Sequence, residues 1–340
     1  MTAGANVDSA SDGNALIVTG PGRVSLERRH PGAQPAAGYV RVAPELVGLC
    51  GTDLEIIDGA IDPAYIRYPV ALGHEWTGIV TGGSPLAGRR VVVEGVIGCG
   101  HCERCVSGLT NLCETYDEIG FTRDGAAASA IDVPATLVHP LDATVAAEDA
   151  VLAEPSAVVY RALARAVVTP GCRMLVIGDG TIALLAVLLA RLWSPAEVAV
   201  LGRRHEQAGL AKTAGATSFD VTAAGEGYDL VVEAAGATQA GETALSVVRR
   251  GGTVVLLGLP PHGETIALPA DDAVNNDLTI LGSFSYTSAA WRAVVTLLNA
   301  GQLRPAALIT HRFPLARWQQ AVAALRGASG PRGKVLLEIS

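Results

Sequence analysis

An apolar strand-forming run, Arg173 to Gly178, meets an apolar helical run, Thr181 to Trp193, across the turn Gly178-Asp179-Gly180-Thr181-Ile182-Ala183. Few folds accept a G-x-G-x-x-A turn in that position. The first glycine permits the tight turn and the second lets a pyrophosphate come up to the backbone. Alanine at the third position still allows close packing of helix on strand. The pyrophosphate then lies at the positive N-terminus of the helix. Gly178, Gly180, Thr181 and Ile182 are therefore the candidate cofactor-binding residues. A glycine-rich turn with no ligand is the plainer alternative, and the context argues against it. Strand and helix keep alternating through EVAVLG, EQAGLAKTAG, YDLVVEAAG, GETALSVVRRGG, TVVLLGL and LTILGSF. Such alternation implies βαβ units, hence an α/β fold with a doubly wound parallel sheet covered on both faces.

The next strand bears on which dinucleotide is bound. An NAD enzyme usually ends it with an acid that binds the ribose 2′-hydroxyl, about 20 residues past the fingerprint. Here Val200-Leu201 is followed by Gly202-Arg203-Arg204, and Gly202 stands 24 residues after Gly178. The carboxylate that would repel a 2′-phosphate is absent, and two guanidiniums able to grip one follow. NADP(H) is expected in preference to NAD(H), with a solvated arginine pair on a loop as the alternative.

With 340 residues the chain exceeds what one core usually holds. From about Ala15 to Pro155 it consists of short β-prone runs broken by Gly and Pro, among them YVRVAPELVGL, ALGHEWTGIVTG, RRVVVEGVIG and LVHPLD. These read as an antiparallel, barrel-like domain. After Tyr286 come an amphipathic helix (SAAWRAVVTLLNAG), a helix near Ala316 to Leu325 and a terminal strand, KVLLEI. The expected division is 1–155 with 288–340 for one domain and 156–287 for the other.

Hydrophobic residues make up 49% of the chain and charged ones 17%, which excludes a disordered protein. The longest apolar run, Ile182 to Ala190, is about half of what a spanning helix needs. A net charge of −8 makes nucleic acid or an anionic membrane a poor partner. The leader MTAGANVDSASDGN lacks the basic end and apolar core of a signal peptide and reads as a short floppy terminus. A reducing cytoplasm follows, where cysteines serve metal or catalysis. Four of the six, Cys99, Cys102, Cys105 and Cys113, are spaced C-x2-C-x2-C-x7-C. Four thiolates in one loop can close a tetrahedral zinc site with no open position, a structural site. Free thiols or an iron–sulfur centre are the alternatives. His101 is left out of that tetrahedron, and Cys172 reads as ordinary packing.

A dispersed set remains: Cys50-Gly51-Thr52-Asp53, Gly73-His74-Glu75 and Glu154-Pro155. Thiolate, imidazole and carboxylate are what a catalytic zinc needs, with a fourth position open. GLCGTD, GHEWTG, the four-cysteine lobe and the later G-x-G-x-x-A turn follow one another in the order of the zinc-dependent medium-chain alcohol dehydrogenases. The chain resembles that family from about Ala15 to its end, and Glu154-Pro155 resembles its polyol, glucose and threonine dehydrogenase branch.

The resemblance implies a GroES-like β-barrel catalytic domain, a Rossmann domain, one catalytic and one structural zinc, and a homo-dimer or homo-tetramer. It implies that Cys50 and His74 are catalytic zinc ligands. Glu75 and Glu154 match two acids that ligate the zinc or hold its water, Glu75 being preferred at rest. Asp53 matches a carboxylate that orients the ligand histidine, and Thr52 a hydroxyl that takes the alcohol proton. Many relatives carry a relay histidine three residues past Thr52; this chain has Glu55, so Glu55, water or Glu154 is left to export the proton. The Gly-rich segment Phe121 to Gly125 continues as AAAS in place of the family's aromatic-bearing run. Leu257 and Leu259 fall where relatives approach the nicotinamide, with core packing an equal alternative. The expected enzyme transfers hydride between a secondary hydroxyl of a polyol, sugar or cyclitol-like substrate and NADP. An NADPH-dependent reductase of small aldehydes or ketones and a non-catalytic dinucleotide-binding relic are the competing expectations.

Overall fold

The computed structural model describes residues 13–29, 32–327 and 330–339; nearly all of the leader, and His30, lie outside the described residues. Strand Tyr39–Leu49 is the spine of a seven-stranded sheet. Val40 and Val42 point inward and Tyr39 and Arg41 less so, as the two-residue period of YVRV requires. The strand pairs antiparallel with Glu75–Gly82 and with Lys334–Glu338, so the end of the chain completes the sheet that its first part begins. A three-stranded sheet of Arg23–Arg28, Asn14–Gly20 and Val70–Ala71 packs against it over a core that includes Leu16, Val42, Trp76, Val91 and Leu337.

Helix Gly51–Asp58 interrupts a region expected to be strands. Its start is set by Asp53, whose carboxylate accepts the Cys50 N–H at 2.8 Å, and its end by Gly59 at φ 72°. That local chemistry outweighs the β-prone surroundings.

The second body is a six-stranded sheet ordered Ser218–Asp220, Glu197–Leu201, Arg173–Ile177, Tyr228–Glu233, Val248–Leu256, Thr279–Gly282, with every pair parallel. Met174 and Val176 face the core shared with helices Ala153–Arg165 and Thr181–Ala190. Leu175 and Ile177 face the opposite core, beneath helix Thr238–Val247. Burial on both faces explains the unbroken apolar runs. The order reverses between Arg173–Ile177 and Tyr228–Glu233, which opens a crevice at the strands' carboxyl ends. Two local expectations differ. The helix expected over Gly241–Gly252 ends at Val247, because the β-branched Val248 already starts a strand and Gly251 turns at φ 68°. Strand Ser218–Asp220 is too short to leave a periodic signal.

Helix Ser288–Asn299 packs on Ala153–Arg165 and places Trp291, Val294 and Leu298 in the larger core. Polar contacts lock this junction. The Ser288 hydroxyl donates to Glu94 at 2.6 Å, the His139 ring lies 2.8 Å from the same carboxylate, and Gly95 N–H donates to Tyr286 Oη at 2.7 Å. Among the described residues no helix is long and apolar enough to cross a membrane.

Candidate active site

Strand register brings the dispersed motif together. Gly48 lies opposite Glu75, so Cys50, two residues on, and His74, one residue back, meet at one end of the pair. A side chain at Gly48 would press within 2.5 Å of Glu75 Oε2, so the glycine is what lets the strands carry a carboxylate there. Cys50, His74 and Glu75 each offer a ligand atom within 4.8 Å of the others. Behind them, Asp53 Oδ1 lies 3.6 Å from His74 Nδ1, and both atoms are buried without a hydrogen-bond partner. Burial pulls the His74 pKa down, but Asp53 and then Cys50 outweigh it and hold it well above the ordinary value. A thiol, an imidazole and a carboxylate backed by an acid on the histidine fit a zinc ion.

Lys334, fully buried, donates from Nζ to Glu75 Oε2 and to the Leu49 carbonyl, the latter at 3.2 Å. Glu154, in the first turn of helix Ala153–Arg165, stands outside the 4.8 Å cluster. Burial, then the Glu75 carboxylate, pushes its pKa up to about 8 against the pull of His74. Glu118 joins the same surroundings, where burial lifts it to about 7 although His74 opposes. Crowded carboxyls of this kind are relieved by a divalent cation. Thr52 Oγ1 lies 3.7 Å from Cys50 Sγ, and Glu55, three residues along the same helix, is exposed. Glu118 and Lys334 carry no motif that spacing could find.

Cys99, Cys102, Cys105 and Cys113 form the second cluster, with their sulfurs within 4.8 Å of one another. The sulfurs accept N–H groups along the loop, Cys102 to Cys99 and Cys105 to Cys102, each at 3.4 Å. N–H donation from His101 and Cys102 brings Cys99 down to about 6. At Cys105 a Gly100 N–H lowers the pKa, but burial and the neighbouring sulfurs push it to about 12. One thiolate is favoured and the next resisted, as expected of a site that a cation completes. The His101 ring lies 2.9 Å from the Cys99 carbonyl and is not among the four donors.

In the crevice, Gly178 turns at φ 128°, and a Cβ there would lie 3.0 Å from the Ala234 carbonyl carbon. A Cβ on Gly180 would meet nothing, so that face is open at the N-terminus of Thr181–Ala190, which no side chain caps. Thr181 and Ile182 form the first helical turn and are partly exposed. This cradle fits a pyrophosphate. Leu257 N–H donates to the Glu233 carbonyl at 2.9 Å, and Leu259 is 76% exposed on the adjoining loop. The Glu233 carboxylate accepts the Ala235 and Gly236 N–H groups, both at 2.8 Å, and so shapes that side of the crevice.

The end of strand Glu197–Leu201 carries no acid, Gly202 standing there as expected, but Asp179, inside the fingerprint turn, brings a carboxylate to the following loop. Gly202 has no room for a side chain, since a Cβ would lie 2.5 Å from Phe219 and 3.1 Å from Asp179 Cβ. Asp179 Oδ2 accepts the N–H of Arg203 at 2.9 Å and of Arg204 at 3.0 Å, and Arg204 Nη2 donates to Oδ1 at 2.8 Å. Arg204 is thus engaged by the protein itself. Arg203 is exposed, with no side-chain partner among the described residues.

The chain belongs to the zinc-binding dehydrogenase family: residues 36–143 match the alcohol dehydrogenase GroES-like domain and residues 181–300 the zinc-binding dehydrogenase domain. It is an oxidoreductase acting on CH–OH donors, built from a GroES-like and a Rossmann-like part. The sorbitol dehydrogenase of Halalkalibacterium halodurans is 30% identical over 346 residues, covering 95% of this chain and 98% of that protein. A zinc-binding dehydrogenase from Sinorhizobium meliloti 1021, bound to NADP, superposes with a TM-score of 0.88 at 28% identity over 96% of this chain and 98% of that one. A short chain alcohol dehydrogenase from Escherichia coli CFT073, complexed with NADH, also gives 0.88, at 27% identity over 96% and 98%.

Proposed function

We propose that this enzyme moves a hydride between a secondary hydroxyl of a polyol, sugar or cyclitol-like substrate and NADP. The observation that carries this reading is the thiol–imidazole–carboxylate cluster of Cys50, His74 and Glu75 with Glu154 and Glu118 beside it. Carboxyl groups lining such a site accept hydrogen bonds from several substrate hydroxyls, where an apolar wall would select a simple alcohol. The sorbitol dehydrogenase relative supports the polyol class. A zinc and a nicotinamide, when bound, supply Lewis acidity toward the alcohol oxygen and a hydride acceptor.

The chain's own groups do the rest. Cys50, His74 and Glu75 would hold the metal, Glu75 also accepting from Lys334, with Glu154 beside them. Asp53 fixes the His74 ring through Nδ1. Thr52 would take the alcohol proton while giving up its own, and Glu55, water or Glu154 would export it. Gly178, Gly180, Thr181, Ile182 and the loop of Leu257 and Leu259 carry the dinucleotide, with Gly202, Arg203 and Arg204 at its 2′-phosphate. The cysteine lobe holds a structural zinc. Residues 1–155 with 288–340 form the catalytic domain and 156–287 the NADP-binding domain. Free cysteines suit a reducing cytoplasm, and the edge strand Thr279–Gly282 suits a homo-dimer or homo-tetramer.

Metal analysis combined with NADP⁺-linked turnover over polyols, aldoses, cyclitols and simple alcohols tests the reading. Two zincs per chain, and a higher kcat/KM for a polyhydroxy substrate than for ethanol, are expected. One zinc per chain with no turnover would overturn it.

A further inference from the structure

Arg332 lies just before the last strand of the GroES-like sheet, far in sequence from the fingerprint turn, yet its backbone is clamped to that turn. The clamp is Gln207, fully buried: its Nε2 donates to the carbonyls of Asp179 and of Arg332, the second at 2.8 Å, and its Oε1 accepts the Arg332 N–H at 2.7 Å. On the other side of the turn, the Asp179 carboxylate holds the N–H groups of Arg203 and Arg204 and the Arg204 guanidinium. Arg203, Arg204 and Arg332 are thus all tied to the fingerprint turn, Arg204 by its guanidinium, Arg203 by its N–H and Arg332 through Gln207, while the Arg332 guanidinium donates to the Leu325 carbonyl. Burial and then Arg204 lower the Arg332 pKa, Asp179 opposes them, and Arg203 adds to the lowering. Asp220, at the end of the neighbouring strand, is engaged within its own loop, accepting the Thr222 N–H and hydroxyl at 2.7 Å each.

The three arginines outnumber the acids Asp179 and Asp220 by one, in a chain whose net charge is −8. Arginines that repel one another without enough acid between them are stabilised by an anion. A phosphomonoester brings about −1.5 to −2 at neutral pH. Guanidinium forks match its oxygens.

We propose that Arg332 is the third cation of the 2′-phosphate site, and that Asp179 and Gln207 are its positioning residues. The inference rests on the NADP reading above and adds to it a residue from the opposite domain. Asp179 keeps Arg204 and the Arg203–Arg204 backbone in place, and Gln207 brings Arg332 to the same spot. The cofactor's phosphate then bridges the two parts of the molecule, which NAD cannot do.

Calorimetric binding to the full-length enzyme tests this with NADP⁺, NAD⁺ and adenosine 2′-monophosphate as probes. Arg332→Ala should weaken NADP⁺ and adenosine 2′-monophosphate by about 10–100-fold, the worth of a charged hydrogen bond or two, while NAD⁺ binding holds. Arg332→Lys, which keeps the charge and guards against a folding defect, should retain part of the preference. Equal weakening of NADP⁺ and NAD⁺, or no change in either, would overturn the role of Arg332. If the wild type prefers NADP⁺ and loses that preference in Arg203→Ala but not in Arg332→Ala, the Arg332 assignment alone fails. A wild type that binds NAD⁺ as tightly as NADP⁺ and ignores adenosine 2′-monophosphate overturns the NADP reading and this inference with it.

Discussion

At the scale of single residues the Cys50–His74–Glu75 cluster depends on the groups behind it. Asp53 is held by the Cys50 N–H through one oxygen and faces His74 Nδ1 with the other. Replacing it by asparagine keeps the size and the helix cap but loses the charge that orients the imidazole. Asp53→Asn should lower zinc affinity by about 10–100-fold, read by competition with a chromophoric chelator. Glu55 offers a different test. If it passes the proton outward, Glu55→Ala should shift the pH–rate profile of alcohol oxidation; an unchanged profile would exclude it from the relay. Cys50, His74 and Glu75 were legible as motif residues because each sits in a short run of recognisable neighbours. Lys334 was not: the residue that holds Glu75 is 259 positions away.

At the scale of elements, the fingerprint turn and the loop after strand Glu197–Leu201 act as one unit through Asp179. Burial would raise the Asp179 pKa, but Arg204 and the N–H groups of Arg203 and Arg204 outweigh it and hold it below the ordinary carboxylate range. A depressed folded pKa contributes stability above the unfolded value of about 3.9 and loses it as pH falls through the folded value. Asp179→Ala should therefore cost about 1–3 kcal/mol near neutral pH, the loss of an acceptor for several donors. In thermal melts its Tm deficit against wild type should shrink below about pH 4. The strand–turn–helix itself was evident from sequence, since its glycines and apolar runs are local. The carboxylate's position was not, because Asp179 reaches the end of a different strand.

At the scale of the whole molecule, two features hold the parts in relation. The cysteine lobe offers little packing, with Val106 75% exposed and Leu112 41%, so a metal bound by its four cysteines would supply most of its stability. Cys105→Ser should leave about one zinc per chain and lower the Tm, measured by metal analysis and calorimetry on the same samples. The junction helix is the opposite case. Trp291 is 1% exposed in the core beside helix Ala153–Arg165, and Trp291→Ala should cost about 3–5 kcal/mol by denaturant unfolding.

Sequence alone determined what depends on near neighbours: the βαβ alternation, the dinucleotide turn, the cysteine spacing, and the order of motifs that marks the family. Each is a short-range pattern, and short-range patterns survive in one dimension. Tertiary structure decided the rest. It set the Gly48–Glu75 register that gathers Cys50, His74 and Glu75, the Glu118 and Glu154 carboxyls beside them, the Asp179 carboxylate at the Arg203–Arg204 loop, and the Gln207 clamp on Arg332, 125 residues away. Those contacts join segments brought together only by strand pairing and core packing. A linear chain carries no measure of that distance.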